Sequence, residues 1–231
     1  MPSTRKSTTA SSRSSRNGSI AETLTDRAYT EIEELIVTLQ LAPGAAVSEQ
    51  MLAERLGIGR TPIREALQRL ARERLVTILP RRGVVVSAID VAAQLRLLEV
   101  RRELERLVAR GAARRSSDAE RARFAELARQ FERAGRNGDD KTFMRIDREF
   151  NELCLAAVKN EFAAGAMGLM NSLSRRFWFH HYKQAADMPE TAKLHADIAR
   201  AIAEGDEEGA GKALDRLLDN IAAFTRATVD V

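Results

Sequence analysis

The sequence predicts a mainly α protein in which an N-terminal winged helix-turn-helix precedes a C-terminal all-α antiparallel helical bundle. Apolar residues recur at three- and four-residue spacing along most of the chain, which is the period of amphipathic helices. Two short runs typical of β-strands occur side by side near residue 80, and none occurs in the second half. Hydrophobic residues make up 44% of the 231 residues, which is enough to form a packed core.

The chain begins with a segment that has no apolar periodicity. Residues 1–19 are rich in serine, threonine and arginine, which predicts a disordered tail. A winged helix-turn-helix domain is predicted over residues 20–88, with its first helix over residues 20–41. The apolar residues of this helix lie on one face, and Pro43-Gly44 breaks the pattern.

Two further helices follow in the predicted N-terminal domain. Ser48 is a favourable N-cap for a second helix that runs to about residue 56. The turn Gly57-Ile58-Gly59 separates it from a third helix over residues 60–73. Pro62 falls in the first turn of that helix, where its missing N–H is tolerated.

A hairpin completes the predicted N-terminal domain. Residues 75–79 and 84–87 are β-prone runs, and Pro80-Arg81-Arg82-Gly83 lies between them. This arrangement predicts two antiparallel strands joined by a basic tip. A helix-turn-helix followed by such a hairpin is a winged helix-turn-helix module.

After Asp90 the pattern is helical to the end, and a separate helical domain is predicted over residues 89–231. The predicted helices are 90–115, 118–136, 139–158, 160–183, 188–204 and 206–227. The joints between them are short and polar, as at Glu204-Gly205-Asp206. Short joints between long helices predict antiparallel neighbours packed in a bundle.

The predicted third helix has one apolar face and one face suited to DNA. The inward face carries Ile63, Ala66, Leu67, Leu70 and Ala71. The outward face carries Thr61, Arg64, Gln68 and Arg72, with Arg60 and Arg69 at its margins. Arginine can bind guanine through two hydrogen bonds, glutamine can bind adenine, and threonine can contact phosphate or a thymine methyl group. Glu65 is expected to pair with Arg69, although it could also accept a hydrogen bond from cytosine.

Basic charge is concentrated on the same short part of the chain. Residues 60–82 contain seven arginines and only two acidic residues, whereas the whole chain carries a formal charge of +4. A solvated helix face is the alternative interpretation of such a run. Because the turn, the arginine-bearing helix and the basic hairpin tip occur together, we interpret the stretch as a surface that binds double-stranded DNA.

Composition argues against several other classes of protein. No apolar run approaches the roughly 18 residues that span a bilayer, so no membrane association is expected. The N-terminus lacks the apolar segment of a secretory signal, and the single cysteine, Cys154, cannot form an internal disulfide. These features predict a cytoplasmic protein.

The N-terminal residues resemble a known family. The stretch LGIGRTPIREAL, within residues 41–86, is similar to the signature of GntR-type bacterial transcription regulators. The resemblance implies a wing whose Arg82-Gly83 tip enters the minor groove. It also implies base and phosphate contacts from four residues of the third helix, Arg60, Thr61, Arg64 and Arg69. Gly59 stands where the family usually has a serine, so one helix-capping hydrogen bond is expected to be missing.

The helical half resembles the FadR-like branch of that family, whose ligand-binding FCD domain is an all-helical bundle. The landmarks are LEVRRELERLVAR at 98–110, DREFN at 147–151 and HADIARAIAEGDEEGAGKALDRLL at 195–218. Many members bind a metal through an Asp, a His or Asn four residues later, and two later histidines. Asp147, Asn151 and His195 match three of these positions, whereas Leu217 occupies the fourth and cannot bind a metal.

The resemblance therefore implies a divalent metal such as zinc or nickel on Asp147, Asn151 and His195, completed by water or by an effector carboxylate. The alternative is a buried, hydrogen-bonded Asp–His pair without a metal. His180 or His181 could turn inward as a substitute ligand, although a surface or interface position is expected for at least one of them.

A second cluster indicates how an organic acid would bind. Residues 171–182 combine aromatic and cationic side chains, and the candidates for effector binding among them are Asn171, Arg175 and Trp178. An arginine would pair with the carboxylate while aromatic rings line the cavity. Core packing with outward-facing arginines is the alternative. Arg101 is a further candidate, but a structural ion pair with Glu105 is favoured.

These observations predict a homodimeric, ligand-responsive transcription regulator, more specifically a repressor that binds a short inverted-repeat operator. The predicted helical domain would bind the effector, a small organic acid, and form the dimer. Two alternatives stay open at this point. One is a constitutive DNA-binding regulator without metal or effector, and the other is a metal-dependent enzyme that uses Asp147 and His195.

Overall fold

The computed structural model of the chain describes residues 23–81, 83–185 and 187–228. The predicted tail over residues 1–19 and Arg82 of the predicted wing tip lie outside these ranges. The described residues form ten helices and one three-stranded sheet, which confirms the predicted mainly α fold with two parts. Within these ranges, no helix is both long and apolar enough to cross a membrane.

The N-terminal domain is a helix-turn-helix with a wing. Its elements are α1 (Leu24–Val37), β1 (Ala46–Val47), α2 (Glu49–Leu56), α3 (Arg60–Arg72), β2 (Val76–Leu79) and β3 (Gly83–Val86). The strands pair antiparallel in the order β1-β3-β2, with Val76 opposite Val86 and Leu79 opposite Gly83. Strand β1 was not predicted, because two residues are too short to show an alternating pattern.

Helix α1 is shorter than the predicted segment 20–41. Thr23 caps its N-terminus in a capping box with Asp26. The predicted C-terminal end was wrong, because the helix ends at Val37 and Leu39 adopts a left-handed φ of 60°. Residues 20–22 of the predicted helix lie outside the described ranges.

The ends of α2 and α3 follow the local sequence as predicted. The hydroxyl of Ser48 accepts a hydrogen bond from the N–H of Met51, 3.1 Å away, and so caps α2. Gly57 ends α2 with a left-handed φ of 65°, which costs glycine little. Gly59 is the N-cap of α3 and provides no side-chain hydrogen bond, in agreement with the expected missing cap.

The C-terminal domain contains the other seven helices of the described ranges. These are α4 (Val91–Arg115), α5 (Asp118–Asn137), α6 (Asp140–Ala157), α7 (Glu161–Gly168), α8 (Asn171–Ala185), α9 (Met188–Glu204) and α10 (Glu207–Ala227). Helix α5 packs mainly against α9, and α4 packs mainly against α10. Phe124, Phe131 and Ile146 are among the fully buried side chains of this bundle.

The prediction of one helix over residues 160–183 is wrong, because the segment is interrupted after Gly168. Helix α7 ends at Gly168, and the chain tightens through backbone hydrogen bonds from Leu169 to Ala166 and from Met170 to Met167. Glycines at 165 and 168 lower helix propensity there, which favours the break. The segment therefore forms two helices, α7 and α8.

Helix α8 connects the bundle to the N-terminal domain. Leu173 packs against the core of the N-terminal domain. Arg176 is 3% exposed and donates hydrogen bonds to the carbonyl oxygens of Ser87 and Ala88, at 2.9 and 3.1 Å, in the segment that joins the domains. Burial lowers the pKa of Arg176. Because a buried guanidinium needs partners, these contacts hold α8 against the linker.

Candidate functional site

Helix α3 presents a polar face to solvent, as its amphipathic pattern predicts. Thr61, Arg64 and Gln68 are exposed, and so is Arg60 at the start of the helix. The inward residues Ile63, Ala66, Leu67 and Leu70 are buried, while Ala71 is partly buried. The outward side chains therefore lie on a solvent-facing surface that the major groove of DNA can approach.

Arg64 is held in place by the preceding helix. Its Nε and Nη2 atoms donate hydrogen bonds to the two carboxylate oxygens of Glu49 on α2, both at 2.8 Å. This pairing lowers the pKa of Glu49. The pair orients an otherwise flexible guanidinium at the surface of the helix-turn-helix.

Arg69 points towards α1. Its guanidinium carbon lies 3.6 Å from the centre of the Tyr29 ring, and it forms ion pairs with Glu73 at 3.4 Å and Asp26 at 3.6 Å. The expected pair with Glu65 is wrong, because Glu65 instead accepts a hydrogen bond from the Thr25 hydroxyl at 2.7 Å. The expected DNA contact of Arg69 stays a prediction.

The wing tip depends on unusual backbone angles. Arg81, two residues after β2, has a φ of 62°, and Gly83, the first residue of β3, has a φ of 95°, so both have positive φ values. Gly83 begins β3 and pairs with Leu79, the last residue of β2. Arg82, expected in the minor groove with Gly83, lies outside the described residues.

A cavity of about 290 Å³ lies between the bundle and the N-terminal domain. Its lining includes every residue predicted for effector or metal binding, namely Arg101, Asp147, Asn151, Asn171, Arg175, Trp178 and His195, together with Leu217. These residues come from five helices of the bundle. The N-terminal domain contributes Tyr29, Thr30, Glu33 and Arg69 to the same lining, which the sequence did not predict.

Asp147 and His195 form the polar centre of the cavity. Nε2 of His195 lies 3.2 Å from Oδ1 of Asp147, and Nδ1 lies 2.8 Å from the carbonyl oxygen of Thr191. Because a carbonyl only accepts, Nδ1 carries a proton, and in a neutral ring Nε2 is then an acceptor that faces a carboxylate. A proton or a metal ion between the two atoms would make this contact favourable.

The metal-binding set is sparse. Within the described ranges, no group of three His, Cys, Asp or Glu side chains is placed to hold a metal. The candidates are the imidazole of His195, the carboxylate of Asp147 and the amide of Asn151, whose Nδ2 lies 3.2 Å from Oδ1 of Asp147. Leu217 is buried and supplies no ligand atom. Three such side chains could hold a divalent metal only if water or an effector completed its ligands.

The two adjacent histidines of α8 do not supplement this set. His180 is exposed, and the ring of His181 lies 4.6 Å from the ring of Phe177. Neither belongs to the lining of the cavity. The idea that one of them turns inward as a substitute ligand is therefore wrong for this structure, and the surface position expected for at least one of them is that of His180.

Aromatic rings form one wall of the cavity. The indole of Trp178 stacks on Tyr182 with ring centres 4.6 Å apart and lies 5.6 Å from the ring of Phe143. The ring of His195 lies 5.1 Å from that of Phe131. Of the aromatic residues of α8, Phe177 and Trp178 line the cavity, together with Phe143 and Phe150 of α6.

The two arginines predicted for effector binding are both engaged in ion pairs. Arg101 pairs with Glu105 on the same helix, and both side chains are 14% exposed, so the favoured structural pair is present. Arg175 instead pairs with α1, at 2.8 Å to Glu33 and 3.2 Å to Glu34. No local sequence signal announces this contact, because its partners are about 140 residues apart.

Comparison with protein families identifies both domains. Residues 24–86 match the family described as bacterial regulatory proteins, gntR family. Residues 96–220, more than half of the chain, match the FCD domain.

Relatives and solved structures agree with these matches. An HTH-type transcriptional regulator in an unstable DNA locus of Streptomyces ambofaciens is 34% identical over 185 residues, which cover 77% of this chain and 75% of the relative. The HTH-type transcriptional repressor RspR of Escherichia coli is 24% identical over 198 residues, which cover 86% of this chain and 87% of the relative.

Two solved structures share the fold. The structure of Escherichia coli McbR/YncC has a TM-score of 0.69 and 22% identity, and the match covers 90% of this chain and 99% of that one. A GntR structure described as a transcriptional regulator from Rhodococcus sp. RHA1 has a TM-score of 0.63 and 22% identity, with 88% and 97% covered. The chain therefore belongs to the GntR family of bacterial regulatory proteins, and it is a DNA-binding transcription regulator with an FCD domain, not an enzyme.

Proposed function

We propose that the protein is a homodimeric transcriptional repressor that acts in the cytoplasm, binds a short inverted-repeat operator and responds to a small organic acid. One observation carries the proposal: the cavity is lined by side chains of both the FCD domain and the DNA-binding domain. A molecule bound there contacts both domains and can change their relative position. The relative RspR is named a repressor, which supports repression rather than activation.

A carboxylate with an apolar body fits the walls of the cavity. Arg175 supplies a guanidinium that can form two parallel hydrogen bonds to a carboxylate, and Asn171 supplies an amide in the same lining. Trp178 and Phe143 supply apolar surface. A volume of about 290 Å³ lies at the lower end of the range for ligand pockets, so a small acid is expected.

A divalent metal such as zinc or nickel is part of the proposal, with Asp147, Asn151 and His195 as its ligands. Support comes from the contact of Nε2 of His195 with Oδ1 of Asp147 at 3.2 Å, since in a neutral ring with its proton on Nδ1 both atoms have lone pairs that a metal could take. The carbonyl of Thr191 sets the orientation of the imidazole ring, and Asn151 donates to Asp147. A bound metal would supply positive charge that attracts an effector carboxylate.

A dimer through α4 is supported by the outward face of that helix. Val100 and Leu107, seven residues apart, are 52% and 49% exposed. The exposed residues on the same face include Arg96, Glu99, Glu103 and Arg110. Because a two-fold interface brings the same patch together from both subunits, a face that carries both signs of charge can pair opposite charges across the axis.

The effector proposal is tested through the fluorescence of Trp178, the only tryptophan of the chain. Acetate, succinate, citrate and benzoate are each titrated into the full-length protein. At least one acid is expected to change the emission and raise the melting temperature, because it binds the folded state. Benzamide, the neutral control for benzoate, is expected to do neither. If every acid is silent, the constitutive DNA-binding alternative is favoured.

Arg64→Ala is expected to weaken operator binding by about 1–3 kcal/mol and to relax sequence preference, because a base-contacting guanidinium is lost. The DNA is a duplex selected by the wild-type protein from a random pool, and affinity is measured by fluorescence anisotropy at constant salt. The control is Arg55→Ala, which removes an exposed arginine of α2 that donates to Gln40. Unchanged affinity and preference in Arg64→Ala would mean that the recognition helix is wrongly assigned.

His195→Ala is expected to abolish metal binding, because it removes the imidazole ligand. Wild-type protein is exposed to Zn²⁺ or Ni²⁺ and desalted, and its metal content is measured by elemental analysis. His180→Ala is the matched control, since that ring is exposed on α8 and lies outside the cavity lining. If His195→Ala retains metal, the metal site lies elsewhere. If the wild-type protein binds no metal, Asp147 and His195 form a hydrogen-bonded pair without a metal.

Leu107→Glu is expected to convert the dimer to a monomer in analytical ultracentrifugation, because it places like charges opposite each other at the centre of the interface. Leu24→Glu is the control, since Leu24 is an exposed apolar side chain on α1, 57% exposed. It should leave the dimer intact. A dimer that persists in Leu107→Glu would place the interface on another surface.

A further inference from the structure

Arg175 belongs to the cavity and to the domain interface at the same time. Its side chain lines the cavity and is 21% exposed. Nη1 donates to Glu33 at 2.8 Å and Nη2 donates to Glu34 at 3.2 Å, both on α1 of the DNA-binding domain. The other bundle arginines that line the cavity, Arg101 and Arg148, pair with glutamates of their own helices. Within the described ranges, Arg175 is thus the cavity arginine of the bundle that is paired to the other domain.

Glu33 is the partner for which Arg175 matters most. Glu33 is 5% exposed, so its carboxylate has little access to water. It also lies near Glu73, whose pKa is raised mainly by burial and in part by the negative charge of Glu33. A buried carboxylate beside another carboxylate is unfavourable without a cationic partner. The side chain of Glu34 is 47% exposed, so water compensates the loss of its ion pair.

We propose that Arg175 is a shared anchor for which Glu33 and an effector carboxylate compete, so that binding of the acid releases α1 from the FCD domain. The inference rests on the proposed function, because it takes the ligand of the cavity to be a carboxylate. The acid forms hydrogen bonds with the guanidinium N–H groups that Glu33 and Glu34 now occupy. Glu33 then loses its ion pair and, among the described residues, keeps only the attraction of the nearby Arg148, which is itself paired with Glu152, so it gains by moving α1 towards water.

Movement of α1 reaches the recognition helix through direct contacts. Tyr29 of α1 donates a hydrogen bond to Glu73 at 2.8 Å, and the guanidinium of Arg69 on α3 stacks over its ring. Burial and the Glu73 hydrogen bond raise the pKa of Tyr29 to about 12, so the phenol stays protonated and keeps donating. Thr25 of α1 also donates to Glu65. A shift of α1 therefore changes the support of α3.

The same substitution at two adjacent positions distinguishes a specific role of the Arg175–Glu33 pair from a general effect of charge. Glu33→Gln removes the buried competitor, and Glu34→Gln removes the same charge at the exposed position. The same four acids are titrated into each full-length protein by Trp178 fluorescence. Glu33→Gln is expected to lower the apparent Kd of the responding acid about tenfold, while Glu34→Gln changes it less than about threefold.

Hydrogen exchange of α1 reports the release itself. In wild-type protein the responding acid is expected to accelerate amide exchange within residues 24–37. In Glu33→Gln, which has no buried charge to expel, this exchange is expected to be insensitive to the acid. Glu33→Asp, which keeps the charge, is expected to restore part of the response. Arg175→Gln is expected to weaken acid binding at least tenfold and to accelerate exchange of α1 without acid.

The outcomes distinguish the anchor from the proposed function. If an acid binds the wild-type protein but α1 exchange is unchanged, or if Glu33→Gln leaves the Kd unchanged, the anchor is wrong while the effector site stands. If no acid changes Trp178 emission in wild-type protein, both are wrong. Should Glu33→Gln fail to fold, Arg175→Gln decides alone, because an acid Kd within twofold of wild type would overturn the anchor.

Discussion

Arg175 and Arg176 are neighbours on α8, and both bind groups of the DNA-binding domain or its linker. Arg176 is buried and requires acceptors, which the carbonyls of Ser87 and Ala88 supply. Arg175 neutralises the buried Glu33 of α1. Because these contacts hold α8 against both domains, the space beside α8 becomes a cavity with walls from each. The relative position of the domains and the shape of the candidate site therefore have one common origin.

The orientation of the recognition helix α3 depends on local sequence much more than the shape of the cavity does. The spacing of Ile63, Leu67 and Leu70 requires one buried face, so the opposite face is exposed whatever the remainder of the chain does. The exact position of its arginines is a different matter. Arg64 is oriented by Glu49 and Arg69 by Tyr29, and both partners lie on other helices. Helical spacing says which face a side chain is on, but not which neighbour it binds.

The FCD domain shows what limits prediction of a site. The resemblance to the family predicts that Asp147, Asn151 and His195 share one site, and the structure places all three in the lining of one cavity. Segment 160–183 was expected to be one helix, because a run with helical spacing gives no sign of a break that depends on packing. Glu33 was not among the candidates, because an acidic residue on an amphipathic helix has no property that reveals a distant partner.

The sequence by itself determined the mainly α fold, the winged helix-turn-helix and the exposed polar face of α3. These features follow from periodicity, capping residues and turn residues, which act over a few positions in the chain. The tertiary structure alone decided that Arg69 contacts Tyr29, that α7 and α8 are separate helices, and that Glu33 forms an ion pair with Arg175. These depend on contacts between residues far apart in sequence, where burial selects the partner of each charge.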